Sequence, residues 1–350
     1  MKILPAATGR VRGLDSVRFI CALWVFFGHE AEPKLWDPFA PGSVLSRSLH
    51  ALWGNLWPGP AAVIVFFVIS GFCIHFPYAA SRRQLYLKEF YARRFLRILG
   101  PAAVAILLSA FIGLGLAVFE YSILWSLLAE LIYYGCYPAL RALQLRFGSW
   151  RGILTVSYAI AFAIAATNSS APYYPSYGPG LNWLLGLPCW LLGCVLAESI
   201  RTTPPRAVGR VSIWVWRAAV FGAAWTSSFM RFHTPIGDPW TLTFFGVLVA
   251  LWLRREIDFR RQVAPWRWLE WAGLWSYSLY LVHLPIGALF AELFPRMASN
   301  NLRWMVMVLF VLVVCYLFYL VVERPSHALA KKAARALRAE SQAEIGASAS

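Results

Sequence analysis

Ten apolar stretches, separated by connections that are alternately rich and poor in basic residues, constrain this chain more than any other feature. Their limits are 13–30, 60–78, 98–118, 121–140, 152–168, 181–199, 212–230, 240–253, 268–292 and 303–322. A helix of about 20 residues crosses the hydrocarbon core of a bilayer, and each stretch has that length or nearly so. The eighth is short and reads as little tilted or partly re-entrant. With the N-terminus inside, one set of connections collects 25 lysines and arginines, from Lys2, Arg10 and Arg12 through Arg82, Arg83 and Arg93 to Arg338. The other set holds five: Lys34, Arg47, Arg231, Arg296 and Arg303. Arg18 and Arg217 fall inside spans. Because basic residues are retained on the cytoplasmic side, both termini are expected there, and a miscounted span would scramble the split. The fold class expected is therefore all-α: a polytopic integral membrane protein with about ten transmembrane helices in a single bundle.

Composition agrees. Hydrophobic residues make up 59% and charged residues 14%, against about 25% charged in a soluble domain. A formal charge of +16 would suit nucleic acid, but the charge sits in the gaps between spans, so membrane lipids are expected as partners and nucleic acid is not. The six cysteines (Cys21, Cys73, Cys136, Cys189, Cys194, Cys315) lie within apolar spans and form no Cys-x-x-Cys pair. That pattern suggests neither a disulfide framework nor a zinc site, and no metal is expected. The first span lacks a small-residue cleavage site and reads as uncleaved. Residues 1–323 are expected to form the transmembrane domain. Residues 324–350 read as a basic amphipathic cytoplasmic tail, partly disordered, with no further globular domain.

The outer connections are rich in aromatic residues, Pro and Gly, as in Trp36-Asp-Pro-Phe39, Trp53-Gly-Asn-Leu-Trp-Pro-Gly-Pro60, residues 169–182, and His233, Asp238 and Trp240. They suit either stacking on sugar rings or the aromatic belt of any membrane protein.

Within the first span, Asp15, Arg18 and His29 share one helix face. Arg18 and His29 are eleven positions apart, three turns plus roughly 20°, with about 16 Å of axis between them. Asp15 precedes Arg18 by one turn. Ionisable groups on a lipid-embedded helix are costly unless they face protein or water, so the stripe points to a site. Imidazole titrates near neutrality and can take a proton from a hydroxyl and return it to a leaving group. The guanidinium of Arg18 can hold an anionic group or a carboxylate.

Other stretches carry polar groups at helical spacing. Ser70-Gly71 inside the second span permits close helix packing. Arg93, Arg94 and Arg97 cluster at the entrance to the third span and suit either phosphate or anionic lipid. Glu130 lies mid-span with Ser126 and Tyr134 one turn to either side, and its expected partner is His29 or an arginine. Ser276, Tyr280 and His283 share a face, with Pro285 kinking the helix after them. Glu323-Arg-Pro325 reads as a stop signal at the inner interface.

In their order, these stretches resemble the membrane-bound acyltransferase 3 family, whose members O-acylate cell-surface sugars and related acceptors. The resemblance covers nearly the whole chain. It rests on Leu14-Asp-Ser-Val-Arg18, the Arg18–His29 pair with ten residues between, Phe66-Phe-Val-Ile-Ser-Gly-Phe72, Arg94-x-x-Arg97, Trp125-Ser with Glu130, Ser276-Tyr-Ser-Leu-Tyr-Leu-Val-His283, and Glu323-x-Pro325. The family pattern has Gly where this chain has Ser16, and an acidic pair where it has Ala129-Glu130. The chain looks like the stand-alone type, without a fused extracytoplasmic domain.

The resemblance implies acyl-CoA, such as acetyl-CoA, as co-substrate from the cytoplasm, with no tightly bound cofactor. It implies a carbohydrate or glycolipid hydroxyl as acceptor on the other side of a bacterial inner membrane. His29 matches the family's essential histidine and Arg18 its paired arginine, while Arg94 and Arg97 match the pair linked to donor binding. The expected roles are catalytic for His29, as general base or acyl carrier, and for Glu130, orienting His29. Binding roles are expected for Arg18, Asp15, Arg94, Arg97, Ser70, Tyr280 and His283. The rival classes are a transporter or flippase of a lipid-linked sugar or acyl group, which predicts matching halves with broken helices that the sequence does not display, and a non-catalytic scaffold, which leaves the charged stripe unexplained.

Overall fold

In the computed structural model, residues 11–30, 33, 42–80, 84–115, 117, 120–297 and 301–349 are described. Lys2, Arg10, Lys34, Arg82, Arg83 and the Trp36–Phe39 segment lie outside them. The described residues contain helices and no strand. In chain order the helices are α1 (Leu14–His29), α2 (Val44–Leu56), α3 (Gly59–His75), α4 (Leu87–Phe111), α5 (Trp125–Phe147), α6 (Trp150–Thr167), α7 (Gly178–Thr202), α8 (Arg210–His233), α9 (Asp238–Gln262), α10 (Arg267–Ala272), α11 (Ser276–Leu293), α12 (Asn301–Phe318) and α13 (Arg324–Ala349). Seven helical stretches among the described residues are long and apolar enough to cross a membrane, which makes the chain a multi-pass membrane protein.

Each of the ten apolar stretches coincides with a helix, but three differ from a plain span. Helix α1 is 16 residues long. Helix α8 carries Arg217, and α9, the short eighth stretch, continues as helix to Gln262 through a strongly charged segment. At Glu323-Arg-Pro325 the helix does not end: the chain passes through a π-helical turn at Tyr319–Glu323 straight into α13. Pro325 follows the π-helical turn, an irregularity that commonly accompanies a proline inside a continuous helix. Residues 324–349, set apart in the sequence as a basic tail, are this helix.

The helices group into two compact units. The first takes residues 1–28, 50–82 and 147–276. At its centre, α3 and α7 touch backbone to backbone. Both are apolar nearly all round, as a helix enclosed by protein must be. A Cβ added at Gly71 would overlap the Trp190 carbonyl oxygen, and one added at Gly193 would overlap that of Val68. Small residues let helices approach this closely in a membrane, where burial against lipid supplies no hydrophobic drive. Around the contact, Trp190 Nε1 donates to Ser70 Oγ at 3.3 Å and Cys194 Sγ lies 3.6 Å from the Gly71 carbonyl.

The charged end of α9 explains its length beyond the apolar stretch. Glu256 receives Arg217 through two bonds of 3.0 and 2.7 Å and Arg260 at 2.9 Å. Asp258 receives Arg254 at 3.1 Å, Arg261 at 3.3 Å and the Arg206 backbone N–H at 3.3 Å. Two buried carboxylates therefore hold Arg217, which the sequence placed inside a span, and arginines that the sequence counted only toward topology. The start of α1 is fixed in the same unit: Ser16 N–H and Oγ both donate to Glu270 Oε1, at 3.0 and 2.6 Å. An acidic group at a helix N-terminus also meets the positive end of its dipole.

The second unit takes residues 29–49, 83–146 and 277–350. Here α13 packs along α4, with Ser326 Oγ donating to the Leu96 carbonyl at 2.9 Å opposite Gly100. In the first unit, Gly148 has φ +70° and Ser149 caps α6 by accepting from Arg151 N–H at 3.1 Å, the preferred chemistry at each position.

Two outcomes follow. Gly71→Ala and Gly193→Ala each force the α3 and α7 backbones apart, an overpacking cost of roughly 1–3 kcal/mol. Both are expected to lower the temperature at which detergent-purified protein loses its monodisperse peak, whereas Gly135→Ala, with open space at its Cβ, is not. Glu256→Ala leaves Arg217 and Arg260 without their carboxylate, a loss of roughly 3–5 kcal/mol for a buried pair; the same heating assay checks it, with Glu256→Gln expected to lose less.

Candidate active site

The second unit brings together more of the expected site residues than the first. His29 closes α1 and is exposed, while His283, on α11, is fully buried. Their rings lie edge to edge, with centroids 5.2 Å apart and planes 15° from parallel, and His29 Nδ1 lies 2.9 Å from His283 Nε2. On the other side of its ring, His283 Nδ1 lies 3.0 Å from both the Leu279 and Tyr280 carbonyl oxygens. Beside this pair, a Cβ on Gly287 would come within 2.7 Å of Glu30 Oε1. Gly287 is one turn beyond His283 on α11, so the Glu30 carboxyl is seated against the same helix.

Tyr280, three residues before His283, bonds through its hydroxyl to Ser126 Oγ at 2.5 Å, and Ser126 also donates to the Ile123 carbonyl at 2.9 Å. Ile123 belongs to a π-helical turn at Glu120–Leu124, a local geometry that frequently accompanies functional positions. Glu130 Oε1 accepts from Tyr134 Oη, one turn on. The group at His29 Nδ1 is His283.

At the α4 end of this unit, Arg97 Nε donates to His327 Nε2 at 3.0 Å. His327 in turn lies 3.5 Å from Glu323 Oε1. The other oxygen of Glu323 accepts from Ser278 N–H at 3.1 Å and from Ser278 Oγ. Tyr277 Oη donates to the Ile98 carbonyl at 3.1 Å. Arg94 is half-buried on the same helix, and its Nε is buried. Glu323, His327 and Tyr277 were not singled out as site residues in the sequence. The usable signal was Glu323 itself, since a carboxylate ending an apolar span is buried more often with a partner than without one.

In the first unit, Arg18 NH1 donates to Asp15 Oδ1 at 2.9 Å and its NH2 lies 3.1 Å from Cys73 Sγ. Asp15 is buried and Arg18 half-buried. His75, which ends α3 and is buried, lies 2.8 Å from Glu198 Oε1, whose other oxygen accepts from Ala80 N–H at 2.8 Å. Ser70 is engaged with Trp190, as packing requires. Trp240, Arg231 and Asp238 of the outer connections are also engaged within the protein. Trp240 Nε1 donates to the Ser169 carbonyl at 3.1 Å and its ring stacks on Phe162. Arg231 pairs with Asp238 at 2.9 Å and lies over the Tyr173 ring at 5.1 Å.

Among the described residues, no group of three or more His, Cys, Asp or Glu side chains could hold a metal ion. The chemistry on offer is that of imidazole, phenol, hydroxyl and guanidinium. An exposed imidazole backed by a buried one suits proton transfer, and arginines at the end of α4 suit an anionic ligand.

No curated protein and no solved structure matches the chain. A family model does, the acyltransferase domain of the acyltransferase 3 family, over residues 11–320. The chain belongs to that family, and it is a membrane acyltransferase of the kind that transfers groups other than amino-acyl groups.

Proposed function

We propose that the protein moves an acyl group, acetyl in the simplest case, from cytoplasmic acyl-CoA to a hydroxyl of a carbohydrate or glycolipid acceptor at the extracytoplasmic face of a bacterial inner membrane. The observation that carries this reading is the exposed imidazole of His29, held from behind by His283. The acceptor hydroxyl gives its proton to His29 as its oxygen attacks the thioester carbonyl. The tetrahedral intermediate then collapses, the C–S bond breaks, and the imidazolium returns the proton to the departing thiolate. The products are the ester and free CoA, and His29 ends as it began. Such a positioned base contributes typically 10²–10⁴-fold.

The remaining residues fit around that step. Arg94 and Arg97 are permanent cations on α4 beside the inner connection and would bind the donor's phosphates, as guanidinium groups do. Arg18, tied to Asp15, would set the charge along α1 on the donor's side. By the distribution of basic residues, Arg18 belongs to the cytoplasmic half of α1 and His29 to its outer half. The helix separates them by about 16 Å, a reach suited to the extended arm between the phosphates and the thioester of CoA. Tyr280 and Ser126, joined through their hydroxyls, would line the acyl or acceptor side.

The test is transfer from labelled acetyl-CoA to surface glycan in cells carrying the protein, with membrane expression of each variant confirmed. His29→Ala is expected to lower transfer by about 10²–10⁴-fold. Wild-type transfer in His29→Ala would overturn the mechanism. In purified protein, Arg97→Ala is expected to raise KM for acetyl-CoA about tenfold or more, the loss of one charge-assisted phosphate contact, with a smaller effect on kcat; an unchanged KM removes the phosphate role from Arg97.

A further inference from the structure

From the hydrogen bonds around His283, we infer that this residue is a positioning residue that fixes the tautomer of His29, leaving the lone pair on His29 Nε2. The inference rests on the reading of His29 as the base, and gives His283 a role other than donor binding.

Two carbonyl oxygens, of Leu279 and Tyr280, lie 3.0 Å from His283 Nδ1. Carbonyl oxygens only accept. A lone pair at Nδ1 would face two others at hydrogen-bond distance, so Nδ1 carries the proton and shares it between them. In a neutral imidazole one nitrogen donates and the other accepts, so His283 Nε2 is the acceptor. That nitrogen lies 2.9 Å from His29 Nδ1, so His29 Nδ1 is the donor. The neutral ring of His29 then has its lone pair at Nε2, on the side away from His283. The backbone of α11 thus dictates, through one buried ring, which nitrogen of an exposed ring is basic.

The arrangement performs the task that a buried carboxylate performs in a serine–histidine–aspartate triad, holding an imidazole in the productive tautomer and orientation, with a neutral group in place of the anion. When His29 takes the acceptor's proton at Nε2, its Nδ1–H still donates to His283 Nε2 and the bond becomes charge-assisted. No proton passes to His283, whose own Nδ1–H stays on the two carbonyls. Among the described residues, Glu30 is seated on Gly287, one turn beyond His283, and Tyr280, three residues before His283, has its hydroxyl engaged with Ser126.

Two measurements test this. The first is ¹⁵N solid-state NMR of histidine-labelled protein in lipid, with the signals of His29 among the six histidines identified by their absence in His29→Gln. The protonated nitrogen of His29 is expected to be Nδ1, and a proton on Nε2 overturns the inference whatever the activity of His29→Ala. The second compares variants. In His283→Gln the side-chain amide can donate to the Leu279 and Tyr280 carbonyls while its oxygen accepts from His29, and it is expected to keep kcat within about tenfold of wild type. His283→Ala keeps neither bond and is expected to lose about 10²–10⁴-fold in kcat, the range for a lost proton-transfer group and its orienting partner, at unchanged KM for acetyl-CoA. Wild-type kcat in His283→Ala, or a loss in both variants confined to KM, overturns the positioning role. If instead His29→Ala is fully active while the NMR reports a protonated Nδ1, the tautomer stands and the general-base reading falls.

Discussion

Away from water, a polar side chain keeps its place only where another part of the protein supplies its partner, and this requirement organises both units. Glu256 and Asp258 are buried, and each is met by two arginines. Glu323 is buried where α12 gives way to α13 and is met by Ser278 from the start of α11. Ser16 at the start of α1 is met by Glu270 of α10. The Arg217–Glu256, Ser278–Glu323 and Ser16–Glu270 pairings join segments far apart in the chain, and an uncompensated partner would cost several kcal/mol in such surroundings. The apolar surfaces of these helices would slide against one another with little penalty; the paired polar groups set where they stop.

The histidine pair is the same rule put to chemical use. His283 is buried, so both its nitrogens need partners, and the helix it belongs to provides for one of them. The other is left to a ring on a different helix. On the reading of His29 as the base, the direction of its lone pair would be inherited from backbone geometry, and moving a hydroxyl proton is the step that an acyl transfer to an alcohol most needs.

Much of this was legible in the sequence. The apolar spans and the one-sided arginines announced an all-helical membrane protein, because burying a backbone in lipid leaves helices as the economical solution. His29 stood out because ionisable residues on apolar helices are rare, and His283 because it followed Ser276 and Tyr280 at helical spacing. What could not be read was the partner of each. Glu130 suggested His29 or an arginine as its partner, and the spacing did not single out the Tyr134 hydroxyl one turn along its own helix, which it accepts from. Glu323-Arg-Pro325 read as a stop at the inner interface, and nothing in the sequence signalled that a π-helical turn would carry the helix on past it. Arg217 looked isolated in its span because its carboxylate is 39 positions away. Spacing along one helix reports what shares a face, and says little about which other helix that face meets.

The backbone contact between α3 and α7 has a consequence for how motion in the first unit can be measured. Two helices locked at Gly71 and Gly193 have no side-chain layer between them to yield, so relative sliding or rotation would drive carbonyls into α-carbons. The pair is therefore a built-in ruler. Distances measured from labels on α3 or α7 to any other helix of that unit report movement of the other helix alone, and a pair of labels spanning α3 and α7 supplies the fixed length against which the rest can be calibrated.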